Sequence, residues 1–160
     1  MSAWRVDLAA CGRPPTRRQA LVAWIANPGF VLACHYRLAH WAVARGRWGR
    51  LLSLLVERRM IARFACPISA RAAIGPGVRF PHPVAIVIGE GVVIGHGATI
   101  YQGVTLGRRG LDVADYPLLG RNVVVGCGAA VLGGLTIANG AIVRAGEVRY
   151  SEPASYGISA

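Results

Sequence analysis

The sequence predicts a mainly β chain, a left-handed parallel β-helix preceded by short N-terminal α-helices, and three observations predict it. Aliphatic or aromatic residues recur every six positions at Ile68, Ile74 and Phe80, then at Ile88, Ile94, Ile100 and Leu106, and again at Leu119, Val125, Val131, Ile137 and Val143. Glycine is abundant, 21 residues in 160, and often follows the periodic residue, as in Ile74-Gly75, Ile88-Gly89, Ile94-Gly95, Leu106-Gly107 and Val125-Gly126. Before Cys66 the pattern is helical instead, and that segment is strongly basic.

The elements follow in order. Residues 4–15 close on the breaker cluster Cys11-Gly12-Arg13-Pro14-Pro15, and Thr16 then offers an N-cap for a short helix through Ala26. Asn27-Pro28-Gly29 stops it. A second helix is expected from Pro28 or Phe30 to about Arg45, and a third from Trp48 to Phe64. In the third, Leu51, Leu52, Leu55, Val56, Met60 and Phe64 are expected on one face and Arg50, Arg58, Arg59 and Arg63 off it. From Cys66 onward the spacing matches neither the helical nor the strand period. Each six-residue unit is read as one flat edge, three edges closing a triangular coil. The periodic aliphatic stacks inward on its counterparts, and glycine permits the sharp corners. A glycine-rich β-sandwich would have to reproduce the same phase by accident in two separate runs. The chain therefore divides into an N-terminal helical region (1–65), a β-helix domain (66–150) and a short C-terminal tail (151–160).

Composition narrows the function classes. Hydrophobic residues make up 54% and charged residues 16%, which excludes disorder. All eighteen basic residues are arginine; eleven of them lie in residues 1–65 against only Asp7 and Glu57, so the charge belongs to the helices and not to the repeat. No nucleic-acid recognition motif accompanies it, and a solvated or lipid-facing arginine surface is the expectation. Cys11, Cys34, Cys66 and Cys127 form no CxxC pair, so we read reduced thiols in the cytosol, without a disulfide framework or zinc knuckle. A secretory signal is not expected, given Asp7 early and no uninterrupted apolar run. The apolar stretch from Ala20 to Ala44 is broken at Asn27-Pro28-Gly29, leaving pieces shorter than the roughly 20 residues that span a bilayer.

Two interruptions of the repeat point to function. Between Phe80 and Ile88 the spacing is eight, so two extra residues bulge out within Pro81-His82-Pro83-Val84-Ala85-Ile86-Val87. Between Leu106 and Leu119 it is thirteen, and residues 108–117 read as a loop leaving the coil.

The strings Ile74-Gly-Pro-Gly-Val-Arg-Phe-Pro-His82-Pro, Ile86-Val-Ile-Gly-Glu90, Tyr101-Gln-Gly-Val-Thr-Leu-Gly107 and Val123 to Ala130 resemble those of the hexapeptide-repeat acyltransferases, specifically the serine acetyltransferase branch and its polysaccharide-modifying relatives. The resemblance implies a trimer of β-helices, or a dimer of trimers, with acetyl-CoA in the groove between neighbours and no metal. His82 matches the family's general base. Gly107, Cys127 and Ala145 match positions where the family's backbone approaches the pantetheine arm, and Arg108 and Arg109 are candidates for its phosphates. Glu90, Asp112 and Asp115 are the candidates to orient the imidazole. The chain also departs from the family: its usual aspartates read Pro81 and Pro67, and its loop Arg-His pair reads Asp115-Tyr116. The acceptor hydroxyl is therefore left open between serine and a sugar of a polysaccharide precursor. Tyr156 to Ala160 resembles the turn after the last coil, beyond which a tail commonly continues in that family.

His96 sits at an ordinary corner, and His35 and His40 lie in the helices; all three are read as structural or solvated. The trimeric carbonic anhydrase type is set aside, because its zinc needs three histidines and the repeat holds only His82 and His96. The other class kept open is a non-catalytic trimeric assembly protein. Localisation is expected to be cytoplasmic, with peripheral contact at the inner face of the membrane through the basic helices.

Overall fold

The computed structural model describes residues 2–110 and 115–150. The expected tail at 151–160 and the candidate Asp112 lie outside the described residues. Four helices come first: α1 (Ala3–Ala10), α2 (Arg17–Ala26), α3 (Pro28–Val43) and α4 (Gly46–Phe64). Thr16 caps α2 by accepting from the Gln19 N–H at 3.3 Å, and Asn27 caps α3 by accepting from the Phe30 N–H at 2.9 Å. Pro28 at the first turn of α3 loses no hydrogen bond there. The sequence reading did not include α1, which lacks a side-chain cap and is held by the burial of Asp7 and Leu8.

One expectation about α4 is corrected. Its buried stripe is Ser53, Val56, Met60 and Phe64, whereas Leu51, Leu52 and Leu55 are exposed. The apolar residues of α4 thus occupy two opposite sides of the helix, and only one of them packs.

Eleven strands follow: β1 (Ala73–Ile74), β2 (Val87–Ile88), β3 (Val93–Ile94), β4 (Thr99–Ile100), β5 (Thr105–Gly107), β6 (Leu118–Leu119), β7 (Val124–Val125), β8 (Ala130–Leu132), β9 (Thr136–Ile137), β10 (Ile142–Val143) and β11 (Val148–Tyr150). They form three parallel sheets, in the orders β1-β3-β6-β9, β4-β7-β10 and β2-β5-β8-β11. The chain visits the three in rotation, the left-handed parallel β-helix of the sequence reading. Periodic residues stack in register, Ile74 on Ile94, Ile94 on Leu119 and Leu119 on Ile137 in the first sheet. Ile100, Val125 and Val143 stack in the second, and Ile88, Leu106 and Val131 in the third. Every one of the twelve periodic side chains is 6% exposed or less. Burying each contributes about 1.5–3 kcal/mol.

The helices stand where a preceding coil would be. Tyr36 Oη donates to the Ala72 carbonyl at 2.7 Å and accepts from the Ile74 N–H at 3.0 Å. Arg37 donates to the carbonyls of Ile74 and Gly75 and is paired with Asp7, Nε to Oδ2 at 3.0 Å. Asp7 also accepts from the Gly77 N–H at 2.7 Å, Glu57 from the Ala70 N–H at 2.6 Å, and His40 Nδ1 lies 2.8 Å from the Ala70 carbonyl oxygen. Side chains thus complete the backbone hydrogen bonds of the first coil. Val31, Leu32, Tyr36, Met60 and Phe64 join the coil interior in one apolar core.

At Gly29 the helix backbone comes close to the coil, since a Cβ there would lie 2.0 Å from the Phe80 carbonyl oxygen. Gly29→Ala is expected to lower the thermal midpoint by several degrees. Gly110→Ala, where a Cβ meets nothing within 4 Å among the described residues, is expected to leave it unchanged. Equal midpoints for the two variants would refute the close packing.

Candidate functional site

The two extra residues between Phe80 and Ile88 fall at the corner between the second and third sheets, and the resulting bulge is tied to the end of α4. Ala65, at φ 52, turns the chain out of the helix, and Ala85, at φ 55, turns the bulge. The Ala85 N–H reaches the Phe64 carbonyl at 3.4 Å, the Ile86 N–H the Cys66 sulfur at 3.4 Å, and the Gly103 N–H the Val84 carbonyl at 3.0 Å. His82, exposed between Pro81 and the buried Pro83, is thereby fixed at the wall of a groove of about 800 Å³. Pro28, Ile61, Ala62, Arg63, Phe64, Ala65 and Val84 supply the remaining walls. The Tyr101 ring lies one coil below, its centroid 6.5 Å from that of the imidazole.

The corner continues downward as a column of backbone hydrogen bonds, Gly128 N–H to the Gln102 carbonyl at 2.9 Å and Gly146 N–H to the Cys127 carbonyl at 2.8 Å. His82, Cys127 and Ala145 therefore share one corner. Cys127 and Ala145 are exposed there, and beside them Gly128 and Gly146 have, among the described residues, nothing within 4 Å of where a Cβ would stand. These small residues form a strip beneath the imidazole.

The other candidates occupy the next corner, between the third and first sheets, marked by the Gly89 N–H to the Leu106 carbonyl at 2.9 Å and the Gly133 N–H to the Gly107 carbonyl at 2.8 Å. Gly107 and the exposed Arg108 are here. So is Glu90, whose carboxylate meets Arg71 at 3.4 Å and the Tyr116 hydroxyl at 3.4 Å. Asp115 is exposed beside Gly134. The expectation that Glu90 or Asp115 orients His82 is thus not met within one chain: a whole sheet face separates the two corners. Among the described residues no carboxylate is hydrogen-bonded to the imidazole.

Sequence reasoning passed over several groove residues. Tyr101 and Gln102 lie where the corner recurs one coil after His82, so the spacing could have found them. The Gln102 Oε1 atom is buried without a partner among the described residues. Ile61, Arg63, Phe64 and Ala65 come from the end of α4, and only the folded chain brings them to the bulge. His35 and His40 are structural, with Nδ1 atoms 2.8 Å from the Val31 and Ala70 carbonyl oxygens, and His96 is an exposed corner residue. No group of three metal-ligating side chains occurs among the described residues.

The four cysteines are free thiols. Burial, aided by the charge of Asp7, pushes Cys34 up to about 12, and burial likewise raises Cys66. A raised thiol favours the protonated fold: its contribution is complete below the ordinary value near 9 and is lost as pH rises toward 12. Stability to urea is expected to fall across that window, and less steeply in Cys34→Ala. An identical fall in both proteins would show that Cys34 is not the group responsible.

No family model matches the chain. Serine acetyltransferase 4 of Arabidopsis thaliana is 35% identical over 133 residues, 82% of this chain and 37% of that protein. The crystal structure of Neisseria gonorrhoeae serine acetyltransferase superposes with a TM-score of 0.80 at 30% identity, over 91% of this chain and 57% of that one. A serine acetyltransferase in complex with CoA superposes with a TM-score of 0.78 at 28% identity, covering 91% and 60%. The chain thus spans between about a third and three fifths of the length of these relatives, 37% to 60%. Because the likeness runs through the helices as well as the coil, the chain belongs to the hexapeptide-repeat acyltransferase family, in its serine acetyltransferase-like branch.

Proposed function

We propose that the chain is an acetyl-CoA-dependent O-acetyltransferase with His82 as its general base, working on the hydroxyl of a small acceptor, serine or a sugar of a polysaccharide precursor. The observation that carries this reading is the exposed imidazole at the head of the strip formed by Cys127 and Ala145. Acetyl-CoA supplies the activated acyl group. His82 removes the proton of the acceptor hydroxyl as its oxygen attacks the thioester carbonyl, a backbone N–H of the corner steadies the charge gathering on the carbonyl oxygen, and collapse of the tetrahedral intermediate breaks the C–S bond, the departing CoA thiolate taking the proton back from the imidazolium. Pro81 and Pro83 hold the backbone of the base, and the Tyr101 ring limits its swing.

His82, Cys127 and Ala145 lie on one corner and Gly107, Arg108, Glu90 and Asp115 on the next, and a homotrimer would unite them, as would a dimer of trimers. In such an assembly the corner of one subunit bearing Gly107, Arg108, Glu90 and Asp115 faces the His82 corner of the next. Glu90 or Asp115 would then reach the imidazole across the boundary. Division of the chain at residue 65 gives the helices the task of closing the coil and the coil the task of catalysis. We place the protein in the cytoplasm, with peripheral contact at the inner membrane face. No helix of the described residues is long and apolar enough to cross a bilayer. A non-catalytic assembly role is not favoured, because the relatives are named for an enzymatic activity.

The test is to mix purified protein with acetyl-CoA and either serine or a panel of sugars, following thioester absorbance because exposed Cys127 would consume a thiol reagent. Acceptor-dependent loss of thioester is expected. No loss with any acceptor, together with no heat of acetyl-CoA binding, would overturn the proposal.

A further inference from the structure

We infer that the outward face of α4 docks on an anionic lipid bilayer and so sets the mouth of the His82 groove against the lipid surface. Trp48, Leu51 and Leu55 recur at helical spacing on the side of α4 opposite its buried stripe, and they are 72%, 47% and 57% exposed. Among the described residues they belong to no apolar cluster. Arg47, Arg58 and Arg59 border the stripe and are exposed. The one acid of α4, Glu57, turns inward to the Ala70 N–H. At the end of α3, Trp41 is 52% exposed, with the Arg45 guanidinium 3.6 Å from its ring centroid. Apolar side chains flanked by arginine, with indoles at the border, suit the boundary between acyl chains and negatively charged headgroups.

Charge selects the occupant. A second copy seated on this face by two-fold symmetry would bring the same arginines together with no acid to answer them. An anionic surface supplies the opposite charge along the whole stripe. The same helix leads to the site: Ile61, 48% exposed, lines the His82 groove together with Ala62 and Arg63. Docking stands independently of the catalytic reading; that the docked groove serves acetyl transfer rests on it.

Flotation of the full chain with vesicles tests the inference. Vesicles of phosphatidylcholine with about a third phosphatidylglycerol are expected to retain at least about tenfold more protein than pure phosphatidylcholine, and raised salt to release most of it. Trp48→Ser/Leu55→Ser and Arg47→Gln/Arg58→Gln/Arg59→Gln should each abolish retention with unchanged circular dichroism, whereas His82→Ala should float like the wild type. In a Cys127→Ser background, an environment-sensitive fluorophore on Ile61→Cys should shift to the blue on anionic vesicles, and the same label on Asn139→Cys should not. Equal retention on both vesicle types, or none on the anionic ones, would overturn docking. So would lipid-free protein whose mass by sedimentation equilibrium falls by half in Trp48→Ser/Leu55→Ser, since a second copy would then own the face. Labels that respond alike would overturn the placement of the groove. Acetyl transfer that persists without vesicle binding removes this inference alone, and vesicle binding without acetyl transfer removes only the catalytic proposal.

Discussion

His82→Ala is expected to reduce acetyl transfer by about 10²–10⁴-fold, the contribution of a positioned general base, while leaving the affinity for acetyl-CoA unchanged. His82 stands at the corner head, and the strip that would hold the thioester arm runs below it along Cys127 and Ala145. Removing the imidazole therefore spares the strip. The groove of about 800 Å³ is open beside the bulge, so exogenous imidazole should recover part of the lost rate. A purely structural histidine would give the opposite pattern: a lowered thermal midpoint, weaker acetyl-CoA binding and no rescue. A loss of only a few-fold would remove His82 from the mechanism.

The second large effect concerns stability. Asp7 is 1% exposed and holds both the Arg37 guanidinium and the Gly77 N–H. Asp7→Ala leaves the Gly77 N–H without its acceptor and the part-buried Arg37 guanidinium without its counter-charge, held only by the carbonyls of Ile74 and Gly75, a change expected to cost about 3 kcal/mol and to lower the thermal midpoint by roughly 10 °C. Replacing both charges, as in Asp7→Ala/Arg37→Met, should cost less than the two single changes together, because no charge is then left alone. Strict additivity in urea unfolding would mean that the pair does not act as a unit. The network joins α1 and α3 to the first coil, so its loss should also loosen the helices that wall the groove.

The coil was legible in the sequence because stacking imposes its period: every turn repeats the same geometry, and each inward residue must match those above and below. Helix α1 was not legible, since eight residues without a capping side chain carry little local signal, and burial of Leu8 and Asp7 gives it stability. Helix α4 was misread for a different reason. Its apolar residues fall on two sides, and only the packed structure says that Val56, Met60 and Phe64 turn inward while Leu51 and Leu55 do not. The bulge at His82 was visible as a spacing of eight in a period of six. The separation of His82 from Glu90 was also latent in the spacing, because counting edges from Ile68 assigns the two residues to successive corners. The walls contributed by Ile61, Phe64 and Ala65 had no such signature, as they depend on how a helix meets a coil.

The side chains that close the first coil have a further consequence. A parallel coil with a bare end offers a row of unpaired N–H and C=O groups, a template on which another molecule's strands could add and polymerise. Tyr36, Arg37, Asp7, Glu57 and His40 occupy those groups at the helical end. The helices are therefore a chain terminator in the polymer sense: they keep a fold built by repetition from repeating past the boundary of its own molecule.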